Sequence, residues 1–170
     1  KIKPGETIGI IGLTGSGKST FLKLLNNSLN ISSGNLKLYG EDIRKYDSSF
    51  LKSNITYIGQ KPDFITATIF ENIALGRVTS KEEIQKSLEL SNASEFVNQK
   101  ENTLNFVLQN NASNLSGGQK QRINIARGFI GNPKVLIFDD VTSALDLYTE
   151  SQVLQNIFNF SKEHNITTFI

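Results

Sequence analysis

The sequence contains no cysteine, no methionine and no tryptophan among its 170 residues. Without cysteine, a disulfide scaffold, a thiolate zinc site and thiol redox chemistry are excluded. No stretch approaches the roughly 18 apolar residues that a membrane-spanning helix needs. The opening KIKPGETIGI lacks the apolar run of a signal peptide. Because methionine is missing even at position 1 and an apolar run follows almost at once, we expect a segment of a longer protein.

Neither sign of charge dominates the chain. Lysine and arginine number 18 against 16 aspartates and glutamates, which gives a net charge of +2. This balance is not that of a dedicated nucleic-acid binder, so no nucleic-acid partner is expected. Apolar residues make up 38% of the sequence and include 11 phenylalanines, enough to form a core. The length suits one globular domain.

The pattern of apolar residues predicts an α/β fold. Residues 7–11 are a β-branched apolar run that leads into a glycine-rich turn, and residues 19–29 follow as a helix with Phe21, Leu24 and Leu25 on one face. Strand, turn and helix in this order form the βα unit of a parallel sheet. Further strands are predicted at residues 35–39, 55–58, 135–138 and 167–170.

The middle of the chain has a helical pattern instead. Ser80 and Glu83 have the spacing of a capping box, and Ile84 and Leu88 follow at i, i+4. Leu154, Ile157 and Phe158 predict a later amphipathic helix. We therefore expect a sheet core at residues 1–77 and 131–170, with a helical subdomain at residues 78–130 between the two parts.

The segment GLTGSGKST satisfies the pattern G-x-x-x-x-G-K-[ST] between a predicted strand and a predicted helix. Its glycines let backbone N–H groups face phosphate oxygens, Lys18 adds a cation, and the Ser19 hydroxyl can reach a phosphate-bound Mg²⁺. A glycine-rich surface turn is the alternative, which the flanking elements disfavour. The predicted nucleotide-binding residues are Gly12, Leu13, Thr14, Gly15, Ser16, Gly17, Lys18, Ser19 and Thr20.

Two further motifs follow later in the chain. In VLIFD, four apolar residues form a buried strand that ends in Asp139, a candidate Mg²⁺ ligand. In LSGGQ, Ser116 and Gln119 have capping-box spacing, which predicts a helix through Ile130 whose first N–H groups, near Gly117 and Gly118, attract phosphate. On the residues alone, LSGGQ is equally consistent with a plain helix start.

Together these motifs resemble the ATP-binding cassette, the nucleotide-binding domain of ABC transporters. The resemblance covers nearly the whole chain in the family's order: Walker A at residues 12–20, the Q-loop Gln60, the signature at 115–119, Walker B at 135–139 and the D-loop at 143–146. The segments Tyr57–Gln60 and Thr68–Ile73 are similar to the exporter branch. The resemblance implies an α/β P-loop NTPase fold, with a RecA-like parallel-sheet core and an inserted α-helical signature subdomain.

The resemblance also implies a mechanism and partners. Two cassettes pack head to tail, with each ATP between the Walker A segment of one and the signature of the other. Asp146 is implied to face the partner. The implied transmembrane domain, fused upstream, puts the cassette on the cytoplasmic face of a membrane, where Mg-ATP hydrolysis drives export. The implied residues are Lys18, Gln60 and Asp140 for catalysis, Ser19, Gln60 and Asp139 for Mg²⁺, and Ser116, Gly117, Gly118 and Gln119 toward the partner's nucleotide.

The sequence departs from the family pattern at the residue after Walker B, where Asp140 replaces the usual glutamate. The missing methylene draws the carboxylate back by about 1.5 Å, and misplacement on that scale can slow a reaction about a hundredfold. We therefore expect a slow site. Three alternatives remain: a homodimer that Asp140 serves adequately, a degenerate half of a heterodimer with little turnover, and a soluble ABC ATPase not coupled to transport.

Other family features are changed or lie outside the sequence. Gln109 and Asn110 stand where exporters commonly carry a Gly-Glu pair that touches the membrane domain. The aromatic residue that stacks on adenine is expected before Lys1, and the switch histidine is expected beyond Ile170. His164 is predicted to be a surface residue near a helix end.

Overall fold

The computed structural model describes residues 1–170, with a four-stranded parallel sheet at its centre. The strands are β1 (Thr7–Ile8), β2 (Lys37–Leu38), β3 (Glu41–Asp42), β4 (Ile55–Ile58), β5 (Val135–Phe138) and β6 (Thr167–Phe169). The order in the main sheet is β1-β6-β5-β4, and every neighbouring pair in it is parallel. The predicted α/β fold with a parallel sheet is confirmed.

The central strand β5 is covered on both faces, which explains its unbroken apolar sequence. Leu136, Ile137 and Phe138 have no exposed surface. In the register of the sheet, Ile58 at the end of β4 lies opposite Phe138 at the end of β5. Residues that follow these two strands therefore meet at one edge of the sheet.

Two of the predicted strands differ from the structure. Only residues 7–8 of the predicted strand 7–11 pair as β1, although the Ile10 N–H still donates to the Ile170 carbonyl at 2.7 Å. The strand predicted at residues 35–39 is not in the main sheet. It forms β2, which pairs antiparallel with β3. Tyr39 and Gly40 both have positive φ, 52° and 86°, the conformation of a tight two-residue hairpin turn.

Seven α-helices surround the sheets. They are α1 (Lys18–Leu25), α2 (Ser48–Asn54), α3 (Ile69–Ala74), α4 (Lys81–Leu90), α5 (Ser94–Asn98), α6 (Gly117–Ala126) and α7 (Leu147–Glu163). The predicted capping boxes at Ser80 and Ser116 are confirmed, and Thr68 forms a third at α3 that the sequence analysis did not identify. None of the helices combines the length and the apolar character needed to cross a membrane.

Two helices end earlier than predicted. α1 ends at Leu25 instead of residue 29, because Asn27 adopts a φ of 57° and the Ser28 and Leu29 N–H groups both turn back to the Lys23 carbonyl. α6 was predicted to continue through Ile130. It ends at Ala126, and a single 3₁₀ turn over Arg127–Phe129 follows.

Two predicted buried faces were also partly wrong. In α1 the buried residue is Leu22, whereas Phe21 is 46% exposed. In α7 the buried face contains Val153, Ile157 and Phe160, whereas Phe158 is 44% exposed. In both helices, several phenylalanines and leucines lie close together in sequence, so the periodicity fits more than one face.

The helical part of the molecule has its own apolar cluster of 15 buried residues, which runs from Phe64 to Ile130. Ile69 and Ile73 of α3 belong to this cluster and lie before residue 78. Two other clusters cover the faces of the main sheet. The division at residues 77 and 131 stays a prediction, and the packing associates α3 with the helical part.

Candidate functional site

The candidate site lies at the carboxyl edge of the parallel sheet. The loop at residues 9–17 follows β1, Gln60 follows β4, and Asp139 and Asp140 follow β5. Because all these strands run in the same direction, their following loops converge at that edge, where α/β proteins commonly bind ligands. The fold thus brings together residues from three distant parts of the sequence.

The glycine-rich loop leaves the N-terminal end of α1 open. Gly15 and Gly17 have φ of 81° and 92°, a conformation that favours glycine. Gly17 is the N-cap of α1, and no side chain caps the helix there, so its first N–H groups are available to an anion. Residues 12–17, Ser19 and Thr20 are exposed. The Lys18 ammonium donates to the carbonyls of Gly12 and Leu13 at 2.7 and 3.0 Å.

Asp139 receives one hydroxyl on each carboxylate oxygen. The Ser19 hydroxyl donates to Oδ1 at 2.8 Å, and the Tyr57 hydroxyl donates to Oδ2 at 2.6 Å. The Asp139 residue is only 5% exposed. Burial, and secondly the bond to Asp139, raises the pKa of Tyr57, so the phenol stays a hydrogen donor. Sequence reasoning missed this contact.

Gln60 and Asp140 contact each other. The Gln60 side-chain amide donates to the Asp140 carboxylate, and the Ser143 hydroxyl donates to the Asp140 carbonyl at 3.2 Å. Asp140 has a φ of 53° and an exposed side chain. Gln60 forms no hydrogen bond to Ser19 or Asp139 in this structure. Of the predicted Mg²⁺ ligands, only Ser19 and Asp139 are therefore in direct contact.

The signature segment forms no hydrogen bond to the glycine-rich loop. Ser116 accepts the Gln119 N–H at 3.3 Å, and the Gln119 amide oxygen accepts the Ser116 N–H at 3.1 Å. Ser116 and Gly117 are exposed, and neither Ser116 nor Gln119 forms a hydrogen bond to the glycine-rich loop or to Asp139. An added Cβ at Gly118 would lie 3.5 Å from the Ala144 carbonyl oxygen, so the start of α6 adjoins the predicted D-loop.

Asp146, the last residue of that D-loop, caps α7. Its carboxylate accepts the Thr149 N–H at 3.0 Å. This hydrogen bond lowers the pKa of Asp146 below its ordinary value. Helix capping is thus a sufficient structural role for Asp146 within its own chain. The role of Asp146 toward a partner stays a prediction. His164 ends the same helix and is half-buried, with its Nδ1 3.0 Å from the Phe160 carbonyl oxygen.

A buried polar network connects α6, the helix that begins in the signature segment, and the turn after it to the loop that holds Gln60. The Asn124 amide donates to the Gly59 carbonyl at 2.9 Å, and the Arg127 guanidinium donates to Asn124 Oδ1 and to the carbonyls of Asn72 and Asp63. Burial lowers the pKa of Arg127 to about 10. Sequence reasoning missed these residues, because asparagine and arginine are mostly exposed in folded proteins and nothing in the local sequence marks these two as buried.

The donor set fits a nucleotide-bound Mg²⁺. No group of three or more histidine, cysteine, aspartate or glutamate side chains could form an all-protein metal cage. Mg²⁺ at phosphate sites is instead held by one or two protein oxygens and by the phosphates themselves. Ser19 donates its hydrogen to Asp139 and so keeps its oxygen lone pairs available for a cation.

Comparisons with known proteins agree with this geometry. The family described as "ABC transporter" matches residues 1–143. The chain is 40% identical over 163 residues to the lactococcin-A transport/processing ATP-binding protein of Lactococcus lactis subsp. lactis, which covers 95% of this chain and 23% of that protein. It is also 40% identical to Multidrug resistance protein homolog 65 of Drosophila melanogaster, which covers 95% of this chain and 12% of that protein.

A solved structure is similar in three dimensions. A bacterial Atm1-family ABC exporter with ATP bound superposes with a TM-score of 0.90 at 31% identity, over 97% of this chain and 29% of that one. The chain thus spans less than a third of the length of each of these proteins. The predicted P-loop NTPase fold and the resemblance to the exporter branch are confirmed.

Proposed function

Because the chain belongs to the ABC transporter family, we propose that it binds and hydrolyses Mg-ATP to drive transport of a substrate across a membrane. The proposed direction is export. The observation that carries the proposal is the 2.8 Å hydrogen bond between Ser19 and Asp139, at the uncapped N-terminal end of α1. A hydroxyl and a carboxylate from distant motifs meet where the helix dipole and free N–H groups attract phosphate.

Each residue of the site has a distinct part in the proposed reaction. The loop N–H groups and Lys18 hold the phosphates. Ser19 and Asp139 would hold Mg²⁺, which when bound would neutralise charge on the phosphate oxygens. Asp140 orients the attacking water, and Gln60 positions Asp140 through the hydrogen bond between them. The acceleration comes mainly from positioning and charge stabilisation.

The proposed site is completed by a second cassette, packed head to tail. In support, Ser116 and Gly117 are exposed and form no hydrogen bond to the glycine-rich loop of their own chain. Exposed apolar side chains also adjoin the loops involved: Leu13 is 86% exposed, and Leu147 and Tyr148, just after Asp146, are 85% and 72% exposed. A closing partner would cover these side chains and bring its signature to the phosphates.

Mixing two inactive variants tests whether two chains together form each ATP site. Lys18→Ala disables the phosphate-binding half of a site, and Ser116→Arg disables the signature half. If two copies pack head to tail, a mixed dimer keeps one intact site, so the mixture recovers part of the ATP turnover that each variant lacks alone. If every chain used its own signature, the mixture would stay inactive.

A matched control separates chemistry from folding. Ser80 caps α4 with the same capping box that Ser116 forms at α6. Ser80→Ala and Ser116→Ala should each cost about 1 kcal/mol of stability. Only Ser116→Ala should abolish most of the ATP turnover, because only that hydroxyl would face a nucleotide.

The transmembrane partner and the location at the cytoplasmic face of a membrane belong to the same proposal. The names of the relatives, which concern transport and multidrug resistance, support it over a soluble ABC ATPase. The full-length assembly in lipid vesicles should accumulate or release substrate only with ATP. Normal ATP turnover that is insensitive to vesicles and substrates would favour the soluble alternative.

Asp140 favours a second candidate function, a regulatory half that binds ATP with little turnover. Its carboxylate is one methylene shorter than the family's glutamate and already accepts the Gln60 amide. In that case nucleotide binding would stay tight while turnover stays low, and the partner cassette would hydrolyse ATP with help from this chain's intact signature.

A further inference from the structure

We propose that Tyr57 is a positioning residue that orients the Asp139 carboxylate for Mg²⁺ through its hydroxyl. The inference rests on the proposed Mg-ATP function and gives a role to Tyr57, to which the sequence analysis assigned none. The contact behind it is the 2.6 Å hydrogen bond from the Tyr57 hydroxyl to Asp139 Oδ2.

The register of the sheet places Tyr57 beside Asp139. Tyr57 lies opposite Ile137 in the parallel pair of β4 and β5. Side chains alternate between the two faces of a sheet, so Ile137 and Asp139, two residues apart, lie on the same face as Tyr57. The aromatic ring packs against the apolar cluster that contains Ile137. The ring is therefore packed against the apolar core, and its hydroxyl extends from there to the Asp139 carboxylate.

Gly59, two residues after Tyr57 and on the same face, leaves space for the Tyr57 ring. A Cβ built on Gly59 would lie 3.3 Å from Tyr57 Cε1, so a glycine at this position keeps the ring uncrowded. The Tyr57 ring is thus held by packing against the apolar cluster, and no side chain at position 59 displaces it. A hydroxyl on a ring held in this way can fix the orientation of the carboxylate oxygen to which it donates.

Charge explains why a tyrosine suits this position. Asp139 is almost fully buried, yet neither of the two ion pairs in the molecule includes it. Its partners are two neutral hydroxyls, which satisfy and orient the oxygens without neutralising the negative charge. When Ser19 also engages a cation, the Tyr57 bond still prevents the carboxylate from rotating. The full charge of Asp139 then remains available to Mg²⁺.

The test is equilibrium binding of a fluorescent, non-hydrolysable ATP analogue by the full-length protein, titrated with Mg²⁺. Tyr57→Phe keeps the ring and removes the hydroxyl. The Mg²⁺ concentration that gives half of the metal-dependent gain in affinity should rise about tenfold, as for other groups that orient metal ligands. Binding in EDTA should equal that of the wild type. Gly59→Ala, which crowds the same ring, should change the titration in the same direction.

Tyr46→Phe is the matched control. Its hydroxyl also donates one hydrogen bond from a half-buried ring that packs on the same apolar cluster, but to the Leu38 carbonyl, at 2.8 Å, and not to Asp139. Its Mg²⁺ titration should match that of the wild type. In an Asp139→Asn background, Tyr57→Phe should add no further change, because the two residues act through one contact.

Three results would count against the idea in different ways. An unchanged Mg²⁺ titration in Tyr57→Phe would overturn the role of Tyr57 alone. An equal loss of affinity with and without Mg²⁺ would also overturn it, since the hydroxyl would then support the fold and not the metal. Failure of the wild type to bind the analogue under either condition would overturn the proposed function itself.

Discussion

The Ser19 hydroxyl lies 2.8 Å from Asp139 Oδ1, although the two residues are 120 positions apart in the sequence. One comes from the start of α1 and the other from the end of the central strand β5. The packing of α1 against β5 therefore sets the distance between the two groups. A fold that holds two such groups at a fixed distance lowers the conformational entropy lost when they bind a common ligand.

Removal of that hydroxyl should impair metal-dependent chemistry while the fold is kept. Ser19→Ala is expected to lower ATP turnover at a fixed, low Mg²⁺ concentration by about a hundredfold. High Mg²⁺ should restore part of the loss. The measurement is steady-state phosphate release as a function of Mg²⁺ concentration.

Ser49→Ala is the appropriate control for this variant. The Ser49 hydroxyl also donates to an aspartate, the N-cap Asp47, at 2.7 Å, but in the exposed first turn of α2. Its turnover should be unchanged. If Ser49→Ala and Ser19→Ala lowered turnover equally, the Ser19–Asp139 contact would have no special role.

Lengthening the side chain at position 140 should accelerate hydrolysis. Asp140→Glu restores the missing methylene and moves the carboxylate by about 1.5 Å, so turnover at this chain's own site should rise by up to about a hundredfold. Single-turnover ATP hydrolysis by the full-length assembly measures the chemical step directly. The φ of 53° at this position favours short polar residues, so a small loss of stability is expected as well.

The outcome also separates the two candidate functions. A large gain would mean that the native site is slow and that the chain acts mainly through its signature. No gain, together with substantial wild-type turnover, would mean that Asp140 is adequate and that the chain acts as a competent ATPase.

The parts of the fold that could be predicted depend on short-range patterns. The bounds of β4 and β5 were predicted correctly, because β5 is a continuous apolar run and β4 is a short run of β-branched and aromatic residues. The capping boxes at Ser80 and Ser116 were predicted because the spacing alone identifies them. The same spacing at Thr68 and Glu71 would have identified α3, which was missed.

The contacts within the site could not be predicted in the same way. The hydrogen bonds from Tyr57 to Asp139 and from Gln60 to Asp140 join residues about 80 positions apart. These contacts depend on which strands are neighbours and on the register between them. Neither can be deduced from local patterns in a single sequence. Once β4 and β5 are known to be parallel with Tyr57 opposite Ile137, alternation places Tyr57 beside Asp139.

Gly128, in the 3₁₀ turn that follows α6, lies in close contact with the sheet. A Cβ added there would lie 3.1 Å from two ring carbons of Phe138 and 3.4 Å from Ile58 Cγ1, all within the buried core. Gly128→Ala should therefore lower the free energy of unfolding by about 1–2 kcal/mol, because overpacking costs about 1–3 kcal/mol and alanine offsets at most about 1 kcal/mol of that cost. Denaturant unfolding measures the change.

A second substitution checks the cause. Phe138→Leu removes the ring atoms that the new methyl group would contact, so Gly128→Ala should cost less in that background than in the wild type. Additive effects of the two substitutions would show that the ring is not the source of the loss.

Acid should destabilise the fold through its helix caps. The carboxylates of Asp47, Glu71, Glu83 and Asp146 accept hydrogen bonds at the N-terminal ends of four helices, and these bonds lower the pKa of each. For Asp47 the main cause is the Ser49 hydroxyl, followed by the Phe50 N–H; for the other three it is a backbone N–H. A carboxyl whose pKa is lower in the folded state contributes stability above its unfolded pKa, near 4, and loses it as the pH falls through the folded pKa. The midpoint of thermal unfolding should therefore be nearly constant from pH 7 to 5 and should fall steeply toward pH 3.

Asp146→Asn isolates one of these caps. Asparagine caps a helix about as well as aspartate, so α7 should keep its cap at every pH, while the protonation that weakens it in the wild type no longer occurs. The drop in unfolding midpoint between pH 5 and pH 3 should be smaller in the variant. Glu163→Gln, at the exposed opposite end of α7, should leave the drop unchanged. If Asp146→Asn and the wild type lost stability in parallel, the acid sensitivity would have to arise from groups other than this cap.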